Sequence, residues 1–231
     1  MAGRVAARRI RWGVLCLPLA GLVYLQSLVV AGGWIPPSED LRGYAEQIAS
    51  ARFQTGLMVL HLQAALLLVG GIALYAYLAG SRAERWALAG LLTLCVSTIG
   101  SGIQLGAEVP MMPAAEAYLN GQQDALDSAK SFEGVADLPL LVLAWALVTG
   151  LLLPLLGNLF FGVAIWRSGT LPQGAAVLWA GAVVLSAVSF NPSTDLGAWI
   201  GALLVAPDLG GSGWIAWSVW QQPLDRKPGL T

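Results

Sequence analysis

Not one charged residue stands between Arg52 and Arg82. The same holds from Arg11 to Glu39, from Arg85 to Glu108, from Asp137 to Arg167 and from Arg167 to Asp195, while a sixth run from Asp195 to Asp225 is interrupted by Asp208 alone. Each run can supply the roughly 20 apolar residues that a helix needs to cross the hydrocarbon of a bilayer. With 57% hydrophobic and 11% charged residues, against roughly 25% charged in a soluble domain, the chain cannot clothe itself in a water-solvated surface. The expectation is an all-α polytopic membrane protein. It forms a single transmembrane domain of six helices, with spans near 11–33, 53–79, 86–107, 138–166, 172–190 and 195–220. Outer loops at 34–52 and 108–137 carry short amphipathic helices.

Lys and Arg in short loops stay on the cytoplasmic side, and six spans gather nine of the 12 basic residues on one face. These are Arg4, Arg8, Arg9 and Arg11 at the start, Arg82 and Arg85, Arg167, and Arg226 and Lys227 at the end. Ten of the 13 acids fall on the other face. Both termini are therefore expected in the cytoplasm, the chain being multi-pass in the cell (cytoplasmic or inner) membrane. The basic start and apolar run resemble a signal peptide, but the run outlasts an h-region of about 7–15 residues, so a retained first helix is expected. Cys16 and Cys95 lie in apolar runs without CxxC spacing and read as small core residues.

Along the chain, Gly32 to Pro37 ends the first span, with Trp34 suited to the headgroup layer. Ser38 reads as an N-cap with Glu39 and Asp40 in the first turn. Leu41, Tyr44 and Ile48 then share one helical face. That helix either lies on the outer membrane interface or packs on the neighbouring loop. His61, the only histidine, stands beside Met58 and Gln63 in the second span, on the order of 12 Å inside the outer boundary. An ionisable group there is costly, and its plain alternative is a neutral imidazole bonded to a carbonyl or to Gln between helices.

In the third span, Gly102 and Gly106 form a GxxxG suited to close helix packing, and Gln104 between them needs a partner. Glu108 marks emergence from the lipid into an outer loop of about 30 residues, longer than ordinary connections. Pro113–Leu119 reads as a short helix stopped by Asn120-Gly121, and Gln122–Phe132 as another. The loop acids Glu108, Glu116, Asp124, Asp127 and Glu133 could attract a cation, but no DxDxDG spacing arranges them around calcium. The fourth span bends at Pro154, Gly157 and Asn158. The last span holds a second GxxxG at Gly197 and Gly201, and near its centre Ala206-Pro207-Asp208-Leu209-Gly210-Gly211-Ser212-Gly213. A carboxylate at mid-span costs about 2.5–3.5 kcal/mol, so two half-helices around a polar break are one reading. A carboxylate facing an inner vestibule is the other.

The layout resembles a large class of small six-span bacterial integral membrane proteins of unknown function. The shared features are the short helix entering span two (Ala45–Phe53), the long second outer loop, and the inner turn Trp-Arg-Ser-Gly-x-Leu-Pro at Trp166–Pro172. The resemblance implies the six-span fold and brings no catalytic or binding residues with it.

No GxSxG, HExxH, phosphate loop or clustered His and Cys is present. One histidine excludes bis-histidine haem within the chain, leaving His61 with Met58 or pairing between subunits. No metal or other cofactor is expected. The functional candidates are therefore the polar residues in or at the membrane: His61, Gln104, Glu108, Asn158 and Asp208. Three roles follow. The first is a non-catalytic scaffold or partner subunit that binds a protein through the outer acidic loop. The second is a proton-linked or small-solute transporter using Glu108, His61 and Asp208, and the third a membrane enzyme acting on lipid or isoprenoid. The lipid bilayer is the expected surrounding, and nucleic acid is not an expected partner.

Overall fold

The computed structural model describes residues 2–31, 40–108, 111–126, 147–189 and 195–222. The protein is all-helical, with no strand among the described residues. Helix α1 (Ala2–Val14) and α2 (Cys16–Ala31) replace the single first helix expected from 11–33. The division falls at Leu15 because Pro18 has no N–H to give to the carbonyl of Val14, four residues back. Helix α3 (Leu41–Ala49) is capped by Asp40, whose Oδ1 accepts from the Gly43 N–H at 2.9 Å, so the cap lies two residues beyond the expected Ser38. Ser50 closes α3 and opens α4 (Ala51–Leu78), its Oγ accepting from the Phe53 N–H at 3.1 Å.

Helix α5 (Glu84–Glu108) follows a tight turn, and α6 (Met111–Leu119) ends at Asn120-Gly121 as expected, with Gly121 at φ 97. A 3₁₀ turn covers Gln123–Leu126; the remainder of the helix expected over Gln122–Phe132 lies outside the described residues, as do Trp34, Ser38, Asp127, Glu133 and Asp137. A π-helical turn, Leu147–Leu152, leads into α7 (Leu153–Ser168). Gly169 stops α7 in the left-handed region at φ 63, which glycine adopts without steric cost. Helix α8 (Gln173–Ser189) and α9 (Asp195–Gln221) complete the fold.

Of the two readings of the last helix, the one with two half-helices is not seen: α9 runs continuously through Pro207 for 27 residues. Of its glycines near Asp208, Gly211 serves packing, while Gly210 and Gly213 face open space. A Cβ on Gly211 would lie 2.5 Å from the Trp179 nitrogen of α8, so the bare backbone is what lets the two helices meet.

The helices pack in chain order: α2 on α4, α4 on α5, α5 on α7, α7 on α8, α8 on α9, and α9 back on α2, with α1 lying along α4. Within this arrangement Leu17, Leu74, Tyr77, Leu78, Leu94, Phe161, Trp179 and Ile215 are fully buried and form one core. By length and composition one described helix, α4, with 28 residues and a mean hydropathy of 2.2, is long and apolar enough to cross a membrane. Large apolar side chains also cover the outside: Leu22, Met58, Leu62, Leu92, Ile99, Ile103 and Leu203 are all exposed.

One end of the molecule is basic. Arg11 Nη2 donates to the Gln222 carbonyl at 2.8 Å, and Gln222 Nε2 donates to the Thr170 carbonyl at 2.5 Å. The Tyr77 hydroxyl donates to Gln222 Oε1. These bonds gather the end of α1, the end of α4, the turn after α7 and the end of α9, and with them Arg11, Arg82, Arg85 and Arg167. Arg167 stacks over the Trp86 ring at 5.6 Å, and Trp12 meets Trp220 edge-on at 5.5 Å.

At the opposite end a second, separate core forms. Tyr44, Ala45 and Ile48 of α3, Phe53 of α4, Ala115 of α6 and Leu126 are buried together. The apolar face of α3 is therefore packed on the neighbouring loop, which decides between the two expectations for that helix.

Candidate functional site

The polar side chains inside the helices fall in a belt one turn beyond the main core. Gly71 of α4 lies in register with Leu94 of α5 and Phe161 of α7. About one turn further from the basic end stand Ser97 on α5 and Asn158 on α7. Gly70 lies against Leu17 of α2, and a turn further along α2 is Gly21, which faces Asp208 of α9. The belt thus holds Asp208, Asn158, Ser97 and Thr149, with His61 further toward the acidic end.

Each of these groups has a local use. A Cβ on Gly21 would sit 2.7 Å from Asp208 Oδ2, so Gly21 leaves the space that the carboxylate occupies in the α2–α9 seam. Tyr24, on the next turn of α2, lies within electrostatic reach of that carboxylate. The Asp208 backbone carbonyl also accepts from Ser212 Oγ at 2.7 Å. His61 Nδ1 lies 2.7 Å from the Leu57 carbonyl one turn back on α4, the geometry of an imidazole bonded to its own helix.

Asn158, 4% exposed, donates through Nδ2 to the Pro154 carbonyl at 2.8 Å, while its Oδ1 has no partner among the described residues. Beside it the α5–α7 contact is held by a hydrogen bond. Ser97 Oγ donates to the Thr149 carbonyl at 2.8 Å. In a π turn, position i pairs with i−5, and the residue five past Thr149 is Pro154, which has no N–H to give. Ser97 supplies the donor that proline withholds. An irregularity at Pro154 was legible from the proline itself; the serine that satisfies the freed carbonyl was not, because its partner is 52 residues away.

Of the GxxxG of α5, Gly102 makes no close contact with another described helix. A Cβ on Gly102 would meet nothing within 4 Å, and Ile103 beside it is exposed. The close approaches of α5 are made instead by Gly90, against the Gly157 carbonyl and Phe161, and by Gly100, against Thr149. The side chains of Gln104, Gly106, Glu108, Gly197 and Gly201 lie outside the described residues.

Asp208 and His61 are on α9 and α4, and α2 packs between those helices. No group of three or more His, Cys, Asp or Glu that could hold a metal ion occurs among the described residues. Sequence reading missed the Gln222 clamp; the signal available was a glutamine at the end of an apolar helix, which by itself names no partner. No family model, curated protein or solved structure matches the chain.

Proposed function

We propose that the chain is a multi-pass integral membrane protein of six spans, acting as a non-catalytic scaffold or partner subunit through the cap at its acidic end. The inverted surface supports the membrane reading: small residues pack between helices while Leu22, Met58, Leu62 and Leu203 face outward, where water would penalise them and lipid does not. Helices α5 and α9, of 25 and 27 residues, would extend roughly 37–40 Å, enough to cross. The basic end is then cytoplasmic, with both termini on that side of the cell membrane.

The observation that carries the partner role is the cap itself. Helices α3 and α6 spend their apolar faces on each other, and with the turn Gln123–Leu126 they turn Glu46, Glu116 and Asp124 outward, whereas Asp208, Ser97 and His61 within the bundle are engaged along helix seams or with their own backbone. A photo-crosslinker placed at Asp124 in native membranes is expected to yield a discrete protein adduct. Combined Glu46→Lys and Glu116→Lys is expected to abolish that adduct, and Asp208→Asn to leave it intact.

A second reading, proton-linked or small-solute transport, is favoured by one observation: the carboxylate of Asp208 held against Gly21 between two helices. Loss of a proton flux in proteoliposomes on Asp208→Asn, with no adduct from the cap, would replace the first reading with the second.

A further inference from the structure

Helix α1 carries two stripes. Ala7, Ile10 and Val14 are buried, and Leu17 continues their line into α2. On another face Val5, Arg8, Arg9, Trp12 and Cys16 follow one another at helical spacing across the joint at Leu15. This second stripe lines a groove of about 890 Å³ with Gly13, and Val69 of α4 forms its other wall. Gly13 packs on Ala73 and Leu17 on Gly70, so α1–α2 and α4 run antiparallel here. The arginines therefore lie at the basic end, and Cys16 and Val69 lie deeper. Val5, Trp12 and Val69 are 51%, 55% and 47% exposed. Arg8 and Arg9 are exposed and make no hydrogen bond or ion pair among the described residues.

We propose that this groove binds the headgroup of an anionic phospholipid of the cytoplasmic leaflet, an inference that rests on the membrane reading above. Two guanidinium groups lining one groove present forked donors matched to a phosphate. Trp12 stands at the depth of the glycerol, where an amphipathic ring is favoured, and Cys16, Gly13 and Val69 line the path of the first chain carbons. Charge selects the occupant: among the described residues the wall holds two cations and no acid, so a zwitterionic lipid would bring its own cation against them. A soluble anion would use the arginines and leave the apolar part of the groove unfilled.

The test uses the full chain in detergent, with bound lipid counted by native mass spectrometry after titration with phosphatidylglycerol or phosphatidylcholine. Preferential retention of phosphatidylglycerol is expected, with affinity falling roughly tenfold in Arg8→Gln/Arg9→Gln. Arg82→Gln/Arg85→Gln, which removes as much charge from the same end outside the groove, is expected to change it less than twofold. Equal losses from the two pairs would reduce the effect to general charge and overturn the assignment, as would equal retention of the two lipids. Displacement of the lipid by inorganic phosphate would mark a free-phosphate site and also overturn it. Extraction of the chain from native membranes by alkaline carbonate, a separate measurement, would defeat the membrane reading itself; retention there with no lipid preference defeats the groove alone.

Discussion

The two apolar cores are built on different principles. The core near the basic end joins parts of the chain far apart in sequence, from Ala7 to Val219, by letting helix backbones approach through glycine and alanine. It is closed by Gln222, which ties to Arg11, Tyr77 and Thr170. The core at the acidic end is made by three short elements and the start of α4, and its helix α3 is bounded by ordinary caps, Asp40 at its start and Ser50 at its end. The first is over-determined and rigid by construction. Among the described residues the second is small and shares Phe53, with Leu57 beside it, with the long helices. The cap can therefore be disturbed without repacking the bundle, while a change in the bundle core has no local way to be absorbed.

The largest effect that separates the two is expected at the α5–α7 crossing. In Gly157→Leu the new Cβ would meet Leu94 at 2.9 Å, with the Gly90 carbonyl oxygen 3.4 Å away, and the rest of the side chain has nowhere to go. Overpacking of this kind costs about 3 kcal/mol. A marked fall in apparent melting temperature in detergent is expected, with faster hydrogen exchange along α5 and α7. Gly102→Leu, on the same α5 but facing open space, is expected to stay within about 0.5 kcal/mol of the parent. If both variants melted alike, close approach at Gly90 and Gly157 would not be what holds these helices.

The clamp at the basic end ranks next. Gln222→Ala strips Oε1 from the nearly buried Tyr77 hydroxyl and Nε2 from the Thr170 carbonyl, while the backbone bond from Arg11 survives. Loss of these two hydrogen bonds, with the Tyr77 hydroxyl keeping its contact with the Thr170 side chain, corresponds to about 2 kcal/mol. Hydrogen exchange is expected to quicken in α1 and in the turn at Gly169, and to remain unchanged in α3 and α6. A change spread equally over the cap would show that the two cores are one cooperative unit.

Much of this architecture follows from charge spacing alone, because a run without charges can be read locally: the helices at 53–79 and 86–107 stand within a few residues of α4 and α5. The stop at Asn120-Gly121 was equally legible, since Gly121 can adopt the positive φ that ends α6. What failed was inference from small residues. Gly102 stood in the spacing of a packing motif, yet it faces open space and the described contacts of α5 fall at Gly90 and Gly100, because which face of a helix meets a neighbour is set by tertiary arrangement. The glycines around Asp208 suggested a broken helix for the same reason. They weaken α9 locally, yet the helix is continuous, and one of them, Gly211, permits the close contact with Trp179. Ser97 with Thr149 and Gln222 with Thr170 each pair residues 52 apart, a relation no local pattern encodes.

The smallest effect sharpens the comparison from the cap side. Asp40→Ala removes the acceptor for the Gly43 N–H at the start of α3 and is expected to cost about 1 kcal/mol. That loss is borne by a helix of nine residues, too short to persist without its cap and its contact with α6, so it appears as faster exchange in α3 and α6 and leaves the main melting transition in place. Arg42→Ala is the control on the same helix. Arg42 Nε and Glu46 Oε1 pair at 3.0 Å, but the side chains are 79% and 58% exposed, and such pairs contribute roughly 0.3–0.5 kcal/mol. The control is therefore expected to shift exchange less than half as much as the cap variant. An Asp40→Ala protein whose bundle melts earlier by several degrees would show the acidic core to be part of the basic one, and the cap would no longer be a separable surface for a partner.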